Sequence, residues 1–486
     1  MRSVASIPSI FHFALAVAAL ALASNARAQS IESYAPQPMG PLTSLTRQAD
    51  GKIVIVGNFF QVGAATYTRV ARLNVDGSVD TTFADPNVDG EVKTVAVQPD
   101  GKLLIGGGFT NVGGQARHYL ARLDTNGTLD ASFVDPNLNG TVWAIAVQPD
   151  GKVLAGGDFD HIGATAQNYF ARLATNGTLD TSFPDPQLCC LPVRAVALQS
   201  DGHVLIGGYF AHVGSDTHFN LARYSSSGAF DPSFPNVPDS VPLVALAMLV
   251  APDDSVYVNG ASAQPVIRLH ADGSYDSTFA AAATDSGIDG MLLQPNGKVL
   301  IGGIFQQAGG QPRHALARLA ADGSLDTSFG DLHFSVNAGD PNGYIYGLAA
   351  QADGRVVVIG NFTLADGQPR TEIARVATGD YVTDVLVVQG NGGSLTASWY
   401  RDGDGPELTQ PAPLLQHSTN GVDFTTVATM TRVAGGWRAS ADYDVHGATF
   451  YLRALGTTAD GTDNAAPGQI ASAIYSNDTI FGWGFE

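Results

Sequence analysis

Short apolar segments separated by polar turns recur along the chain at a nearly constant distance. In one copy, residues 142–147 and 153–157 are apolar and flank a polar turn, which is typical of a β-hairpin. Residues 169–173 and 178–183 flank a second tight turn and predict two further strands. Each copy therefore predicts four antiparallel strands in about 50 residues and no helix.

The first turn of each copy carries Asp-Gly or a close variant. Four antiparallel strands in a repeat of this length are typical of one blade of a β-propeller. The sequence therefore predicts an all-β fold with a seven-bladed β-propeller over residues 29–379. The turns lie at residues 50–51, 100–101, 150–151, 201–202, 254–255, 296–297 and 353–354.

The last copy has three of the predicted strands but no fourth. Residues 30–38 align with residues 178–186, with Glu32 in place of Asp180 and Tyr34 in place of Phe183. We predict that this amino-terminal segment supplies the missing strand and closes the last blade, because closure removes exposed sheet edges.

An arginine near the end of each third strand and an acid in each fourth strand recur with the repeat. We expect partly buried Arg–carboxylate pairs that fix strand register. A ring of ligand-binding arginines is the alternative, which the outer position of the fourth strand disfavours. The pairs are Arg72 with Asp80, Arg122 with Asp130, Arg172 with Asp180, Arg223 with Asp231, Arg268 with Asp276, Arg318 with Asp326 and Arg375 with Glu32.

Two strings of residues characterise the repeat over residues 30–378. They are Val-Gln-Pro-Asp-Gly-Lys-Val-Leu-x-Gly-Gly-x-Phe and Ala-Arg-Leu-x-x-x-Gly-x-Leu-Asp-x-Ser-Phe. This pattern resembles the bacterial delta-60 repeat β-propeller family. The fifth copy departs from it at residues 252–260 and has a shortened loop. The resemblance implies an exported propeller and carries no shared activity.

Beyond residue 379 the repeat gives way to a different pattern. Apolar and polar residues alternate in segments such as 395–400, which predicts a small antiparallel β-sandwich over residues 380–486. The segment 450–456 resembles a late strand of fibronectin type III modules. The aromatic, Gly-rich end at residues 480–486 is interpreted as a strand on this sandwich, with a sorting or docking tail as the alternative.

The amino terminus has the features of a secretory signal peptide. Arg2 precedes an apolar run at residues 11–23 and a small-x-small sequence at residues 26–28, which a signal peptidase accepts. We predict cleavage of residues 1–28 and export to the periplasm, the cell surface or the medium. The apolar run is shorter than the roughly 20 residues of a membrane span. An uncleaved anchor is the alternative.

Composition narrows the class of partner. Hydrophobic residues make up 44% of the chain and charged residues 14%, which excludes global disorder. The formal net charge is −20, and this acidity disfavours nucleic acid and anionic membranes as partners.

The long connections of each predicted blade lie opposite its two tight turns, and such loops are the usual place for binding residues. We expect this face to be the more acidic one and to form the ligand surface. Its candidate residues are His118, His161, His212, His218, His314, Asp85, Asp135 and Asp185.

Catalytic sequence templates do not occur in the chain. There is no Gly-x-Ser-x-Gly elbow, no P-loop and no dinucleotide fingerprint before a helix. The sequence therefore favours an exported, non-catalytic binding or scaffold protein that recognises a protein or a glycan and has no cofactor. The alternative is a propeller hydrolase or lyase with Asp and His at the channel mouth.

A metal site and a disulfide are two further hypotheses. Asp85 and Asp89 supply oxygen atoms of the kind that Ca²⁺ prefers, although Asp and Asn also dominate ordinary turns. Cys189 and Cys190 are adjacent and are the only cysteines. In an oxidising compartment a vicinal disulfide is one hypothesis for this pair, although its short Cα spacing implies strain; a rigid turn or an intermolecular link is the plainer interpretation.

Overall fold

The structure is a computed structural model, and the regular elements of its described residues are all β-strands. The predicted signal peptide and the predicted tail at residues 480–486 lie outside the described residues. The described part of the chain contains no helix with the length and apolar character of a membrane span. It comprises residues 29–476 except 190, 242, 261–264, 338–339, 341, 352, 380–381, 392–393, 404–407, 420–422, 434–435, 443–450, 459 and 463–468.

Each copy of the repeat forms one antiparallel sheet whose second strand lies between the first and the third. This confirms the predicted all-β class and its repeated sheets. The first strands are Leu42–Arg47, Val92–Val97, Val142–Val147, Val193–Leu198, Leu243–Val250, Ile288–Leu293 and Tyr344–Ala350. The second strands are Ile53–Gly57, Leu103–Gly107, Val153–Gly157, Val204–Gly208, Val256–Gly260, Val299–Gly303 and Val356–Asn361. The third strands are Val70–Leu73, Leu120–Leu123, Phe170–Leu173, Leu221–Tyr224, Val266–Leu269, Leu316–Leu319 and Ile373–Ala377.

The predicted fourth strand is wrong. In the third copy, only Leu179 pairs, through an isolated bridge to Leu173. The carboxylate of Asp180 then accepts hydrogen bonds from the N–H and the hydroxyl of Ser182, at 3.0 and 2.6 Å. Such a local side-chain turn competes with strand pairing. It redirects the chain so that Phe183 becomes buried.

The connection between the second and third strands holds a small hairpin that the sequence did not predict. Its strands have two residues each, too few for an alternating pattern to be recognised. The hairpins are Gln61–Val62 with Ala65–Thr66, Asn111–Val112 with Gln115–Ala116, His161–Ile162 with Thr165–Ala166, His212–Val213 with Asp216–Thr217, Gln307–Ala308 with Gln311–Pro312, and Leu364–Ala365 with Gln368–Pro369, beside which Phe334–Ser335 also pairs.

The amino-terminal segment joins the last sheet. Ser30–Ile31 pairs antiparallel with Ile373–Ala377, with Ile31 opposite Val376. The first strands of consecutive sheets lie side by side, and Tyr344–Ala350 of the last sheet packs against Leu42–Arg47 of the first. Residues of the first, second and last sheets accordingly share one hydrophobic cluster.

The paired glycines of the second strands allow two close approaches. A Cβ at Gly106 would lie 2.6 Å from Cγ1 of Val142 in the next sheet. A Cβ at Gly107 would lie 2.2 Å from the carbonyl oxygen of Glu91, where the first strand of its own sheet has a β-bulge. The first glycine thus lets neighbouring sheets pack, and the second makes room for the bulge.

The carboxy-terminal region forms two four-stranded antiparallel sheets that share a core around Trp399. Asp460–Thr462 leaves this pair of sheets and pairs with Ile288–Leu293, the first strand of the sixth repeated sheet. One sheet contains Val382–Asn391, Ser394–Gly403, Gly436–Asp442 and Thr431–Val433, and the other Thr425–Thr429, Leu408–Ser418, Tyr451–Thr458 and Gln469–Ser476.

Candidate functional site

The two ends of each repeated sheet carry different chemistry. The turns after the first and third strands lie at one end, which we call the tight-turn face. The long connections between the second and third strands, and from one sheet to the next, lie at the other end, the long-loop face.

On the tight-turn face, each predicted arginine forms an ion pair with its predicted acid. In four of the sheets the lysine after the first turn adds a second cation, as Lys102 does to Asp130 at 2.7 Å. Burial alone would raise the pKa of Asp130, but hydrogen bonds from Lys102 and Ser132 hold it well below its usual range. The pairs are Arg72–Asp80 at 2.7 Å, Arg122–Asp130 at 2.7 Å, Arg172–Asp180 at 2.9 Å, Arg223–Asp231 at 2.7 Å, Arg268–Asp276 at 2.7 Å, Arg318–Asp326 at 2.8 Å and Arg375–Glu32 at 2.9 Å.

The same guanidinium groups make two contacts that the sequence did not predict. The guanidinium carbon of Arg122 lies 4.9 Å from the ring centroid of Phe133. Its Nη1 donates a hydrogen bond of 2.7 Å to the carbonyl of Thr175 in the next sheet. Arg375 of the last sheet donates in the same way to Val75 of the first, at 2.8 Å. Six of these arginines therefore join their sheet to the next one, namely Arg72, Arg122, Arg172, Arg223, Arg268 and Arg375.

On the long-loop face, several predicted acids join one long connection to the next. Asp135 accepts hydrogen bonds from the backbone N–H groups of His118 and Asn137, at 3.0 and 2.9 Å. Its other oxygen lies 2.6 Å from Nδ1 of His118. The matching contacts in other sheets are Asp85 with Thr68, Asp185 with Asn168 and Asp331 with His314.

The remaining predicted histidines lie in different local settings. Nδ1 of His161 lies 2.8 Å from Asp160, whereas His212 is exposed. The ring of His218 lies 4.9 Å from that of Phe230, and burial lowers the pKa of His218. Within the described part of the chain, no three of the predicted histidines and acids are close enough to share one metal ion.

Asp85 and Asp89, the predicted calcium ligands, are used as hydrogen-bond acceptors. Asp89 accepts the backbone N–H groups of Thr110 and Asn111 at 2.8 and 2.9 Å and the Thr110 hydroxyl at 2.9 Å. Burial alone would raise the pKa of Asp89, but these hydrogen bonds, together with one from the Asn111 side chain, lower it to about 2. Asp85 binds Thr68 in a similar way. The geometry thus gives both acids a role in fastening loops.

Cys189 is disulfide-bonded. Cys190, the only other cysteine of the sequence, lies outside the described residues. The vicinal pairing stays a prediction.

A second set of side chains on the long-loop face was not predicted. Near the start of the first strand, the register with the second strand shifts by one residue, which leaves an extra residue at a β-bulge. Bulges re-aim a side chain and are common beside binding sites. The six bulge residues are Thr43, Lys93, Trp143, Arg194, Asp289 and Tyr346.

Three of the bulge residues form a cationic and aromatic group. The guanidinium carbon of Arg194 lies 3.7 Å from a ring centroid of Trp143, and Nζ of Lys93 lies 5.0 Å from it. The indole N–H donates to Asp158 at 2.8 Å, and Lys93 pairs with Glu91 at 2.7 Å. In the described part of the chain Arg194 has no ion pair, and its Nε is buried without a hydrogen-bond partner.

The bulge residues of the last two sheets form an acidic and aromatic group. Burial raises the pKa of Tyr346, and the charges of Glu372 and Asp289 raise it further. Burial also raises the pKa of Glu372 to about 7, against a hydrogen bond from the backbone of Leu42. Oε2 of Glu372 is buried without a partner in the described residues. Perturbed acids of this kind are common at functional sites.

Comparison with known protein families identifies the repeat of about 50 residues described above. Six segments match the family described as "Domain of unknown function (DUF5122) beta-propeller". These matches support a β-propeller family. Every bulge residue lies between two matched segments or before the first. The matched segments are residues 48–83, 98–133, 148–183, 199–234, 294–329 and 351–380.

Comparison with curated proteins gives no match. Among solved structures, a streptogramin B lyase is 13% identical with a TM-score of 0.46, covering 72% of this chain and 97% of its own. Regucalcin from Agrobacterium tumefaciens, titled a calcium-binding protein, is 13% identical with a TM-score of 0.34, covering 70% and 90%. A luciferin-regenerating enzyme is 10% identical with a TM-score of 0.32, covering 70% and 92%.

Proposed function

We propose that the repeated sheets form one closed propeller of seven blades, followed by a small β-sandwich with a fibronectin type III-like strand. Support comes from the packing of Tyr344–Ala350 against Leu42–Arg47 and from the pairing of Ser30–Ile31 with the last sheet. In this arrangement, the bulge residues surround one mouth of the central channel, and Asp460–Thr462 lies along the channel wall.

We further propose that the chain is an exported binding protein that recognises a protein or glycan ligand through the long-loop face. The observation that carries the proposal is the set of bulge residues. They occupy one structural position yet present six different side chains. The predicted histidines and acids instead fasten loops or lie apart, so the contact surface is centred on the bulge residues.

Within that surface, Arg194 identifies the chemistry of the ligand. A guanidinium that has no acid partner and is stacked on an indole binds carboxylate or sulfate groups well. Lys93 adds a second cation beside the same ring. We therefore assign to the ligand an anionic group that sits over Trp143 and Arg194.

The experiment is a glycan-array and pull-down screen with the mature chain, followed by affinity measurements on the captured ligand. Arg194→Ala and Trp143→Ala should each weaken binding at least tenfold. His212→Ala, an exposed change on the same face outside the bulge residues, should leave it unchanged. Equal affinity for all four proteins would exclude the bulge residues as the binding surface.

A second candidate is a hydrolase or lyase, and Glu372 favours it. A carboxyl group whose pKa is about 7 is suited to proton transfer at neutral pH. Activity against polysaccharide and ester substrates that Glu372→Gln abolishes, without lowering the melting temperature, would establish the enzyme. Activity that survives the substitution would exclude Glu372 as its acid or base.

A further inference from the structure

Two histidines and an aspartate meet on the long-loop face of the sixth sheet. His314 precedes the third strand, and Asp331 and His333 lie in the connection that leads to the last sheet. One ligand atom from each of the three side chains lies within 4.8 Å of the others. The two imidazole rings are stacked, with centroids 4.1 Å apart and an interplanar angle of 3°.

Part of this arrangement also occurs in other copies of the repeat, where an aspartate joins one loop to the next through hydrogen bonds. Asp331 accepts the backbone N–H groups of His314 and His333 at 2.9 and 3.2 Å. In the second sheet, Asp135 accepts the N–H groups of His118 and Asn137 in the same way. Asn137 and His333 both have positive φ, 57° and 31°. Among these three positions, the sixth sheet differs from the second by one side chain, the second imidazole.

The donor set indicates which ion would fit. Imidazole nitrogens favour Zn²⁺, Cu²⁺ and Ni²⁺ over the oxygen-preferring Ca²⁺ and Mg²⁺. Asp331 holds Nδ1 of His314, which orients the ring and leaves Nε2 as the ligand atom, as second-shell carboxylates do at zinc sites. The in-plane lone pairs of two parallel rings do not converge on one ion, so His333 has to turn out of the stack to supply the second nitrogen, and its exposed position gives it room to do so. Water completes the coordination of an ion at such an open site.

We propose that His314 and His333 bind a divalent transition-metal ion, with Asp331 orienting His314. The loop fastening exists without the ion, because the second sheet makes the same hydrogen bonds with asparagine in place of His333. The ion would therefore bind to a propeller that is already folded, and folding would not require it. The site is independent of the bulge residues, which belong to the first strands.

The chain provides a matched pair of variants for the test. His333→Asn copies the second sheet into the sixth, and Asn137→His copies the sixth into the second. Both keep the hydrogen bonds of Asp331 and Asp135, which involve the backbone of the substituted residue. Thermal unfolding of the metal-free proteins should accordingly give similar melting temperatures for all three chains.

Titration calorimetry with Zn²⁺ alone then measures affinity and stoichiometry. The mature wild-type chain should bind one ion at this site with micromolar affinity. His333→Asn should weaken that event at least tenfold, and Asn137→His should add one equivalent of similar affinity. No binding by the wild type, or binding that His333→Asn leaves unchanged, would overturn the proposal. Binding lost in His333→Asn without any gain in Asn137→His would equally exclude the assigned trio.

Discussion

The two ends of each blade differ in how much their side chains vary from one copy of the repeat to the next. At the tight-turn face, the sheets carry the same arginine, a carboxylate and an aromatic ring, as in Arg122, Asp130 and Phe133. At the long-loop face, the bulge of the first strand carries a different side chain in each sheet where it is formed. These three groups recur at the tight-turn face because neighbouring sheets make the same contact there, and we call this contact the joint. Variety at the other end is compatible with the ligand surface proposed for these residues.

Removal of residues 29–38 tests the joint most strongly. The deletion takes away Ser30–Ile31, the carboxylate of Glu32 and the fully buried ring of Tyr34. Truncating one buried aromatic side chain alone costs about 3–5 kcal/mol. We expect the deletion to exceed this loss in the free energy of unfolding, measured by urea denaturation. A deletion that leaves the unfolding midpoint unchanged would contradict the role of the segment in the last blade.

Tyr34→Phe is the matched control for the deletion. The other sheets have phenylalanine at this position, and the Tyr34 hydroxyl is buried without a hydrogen-bond partner in the described residues. We expect unchanged or higher stability, by up to about 1 kcal/mol.

Arg318→Ala tests a single joint. Arg318 is 1% exposed, pairs with Asp326 at 2.8 Å and stacks over Phe329. Removing one partner of a buried ion pair costs about 3–5 kcal/mol. Lys298→Met removes the other cation on Asp326 but leaves the stacked guanidinium, so its cost in urea denaturation should be distinctly smaller. Equal costs would show that charge alone, and not the buried stack, stabilises the joint.

The pH dependence of stability reports on Glu372. Its pKa is about 7 in the folded chain and 4.5 in the reference state, so the protonated group stabilises the fold below about pH 4.5. This contribution is lost as the pH rises through about 7. Glu372→Gln should match the wild type at pH 4.5 and exceed it at pH 8 by on the order of 1 kcal/mol, allowing for partial exposure. A constant difference at both pH values would contradict the raised pKa.

Arg194→Ala should have the smallest effect on folding. A partly exposed cation–π contact contributes about 0.5–1 kcal/mol, and Arg194 has no ion pair to lose in the described residues. We expect a change below about 1 kcal/mol in thermal unfolding. A loss of stability as large as that of Arg318→Ala would show that a bulge residue stabilises the fold as strongly as an arginine of the tight-turn face.

The features that could be predicted from the sequence follow the same division. Arg122 and Asp130 could be matched because the same pair recurs eight residues apart in six of the seven copies. The fourth strand failed because the local turn at Asp180 and Ser182 outcompetes pairing. The bulge at Trp143 requires a residue without a side chain at the facing position of the second strand, and Gly157 is that residue. The glycine recurs in each copy, but a glycine in a strand indicates a close approach of backbone as readily as a bulge, so the sequence alone did not identify the bulge.

The sequence by itself determined the repeat, the strands with clear alternation and the residues that pair within one copy, because these depend on short distances along the chain. Only the tertiary structure decided which groups meet between neighbouring copies or between two loops of one copy. Arg194 reaches Trp143, Arg375 reaches Val75, and His314 stacks on His333. Such contacts arise from the packing of one sheet against the next and from loops fastened to each other. Those distances are set by the three-dimensional arrangement, and spacing along the chain does not encode them.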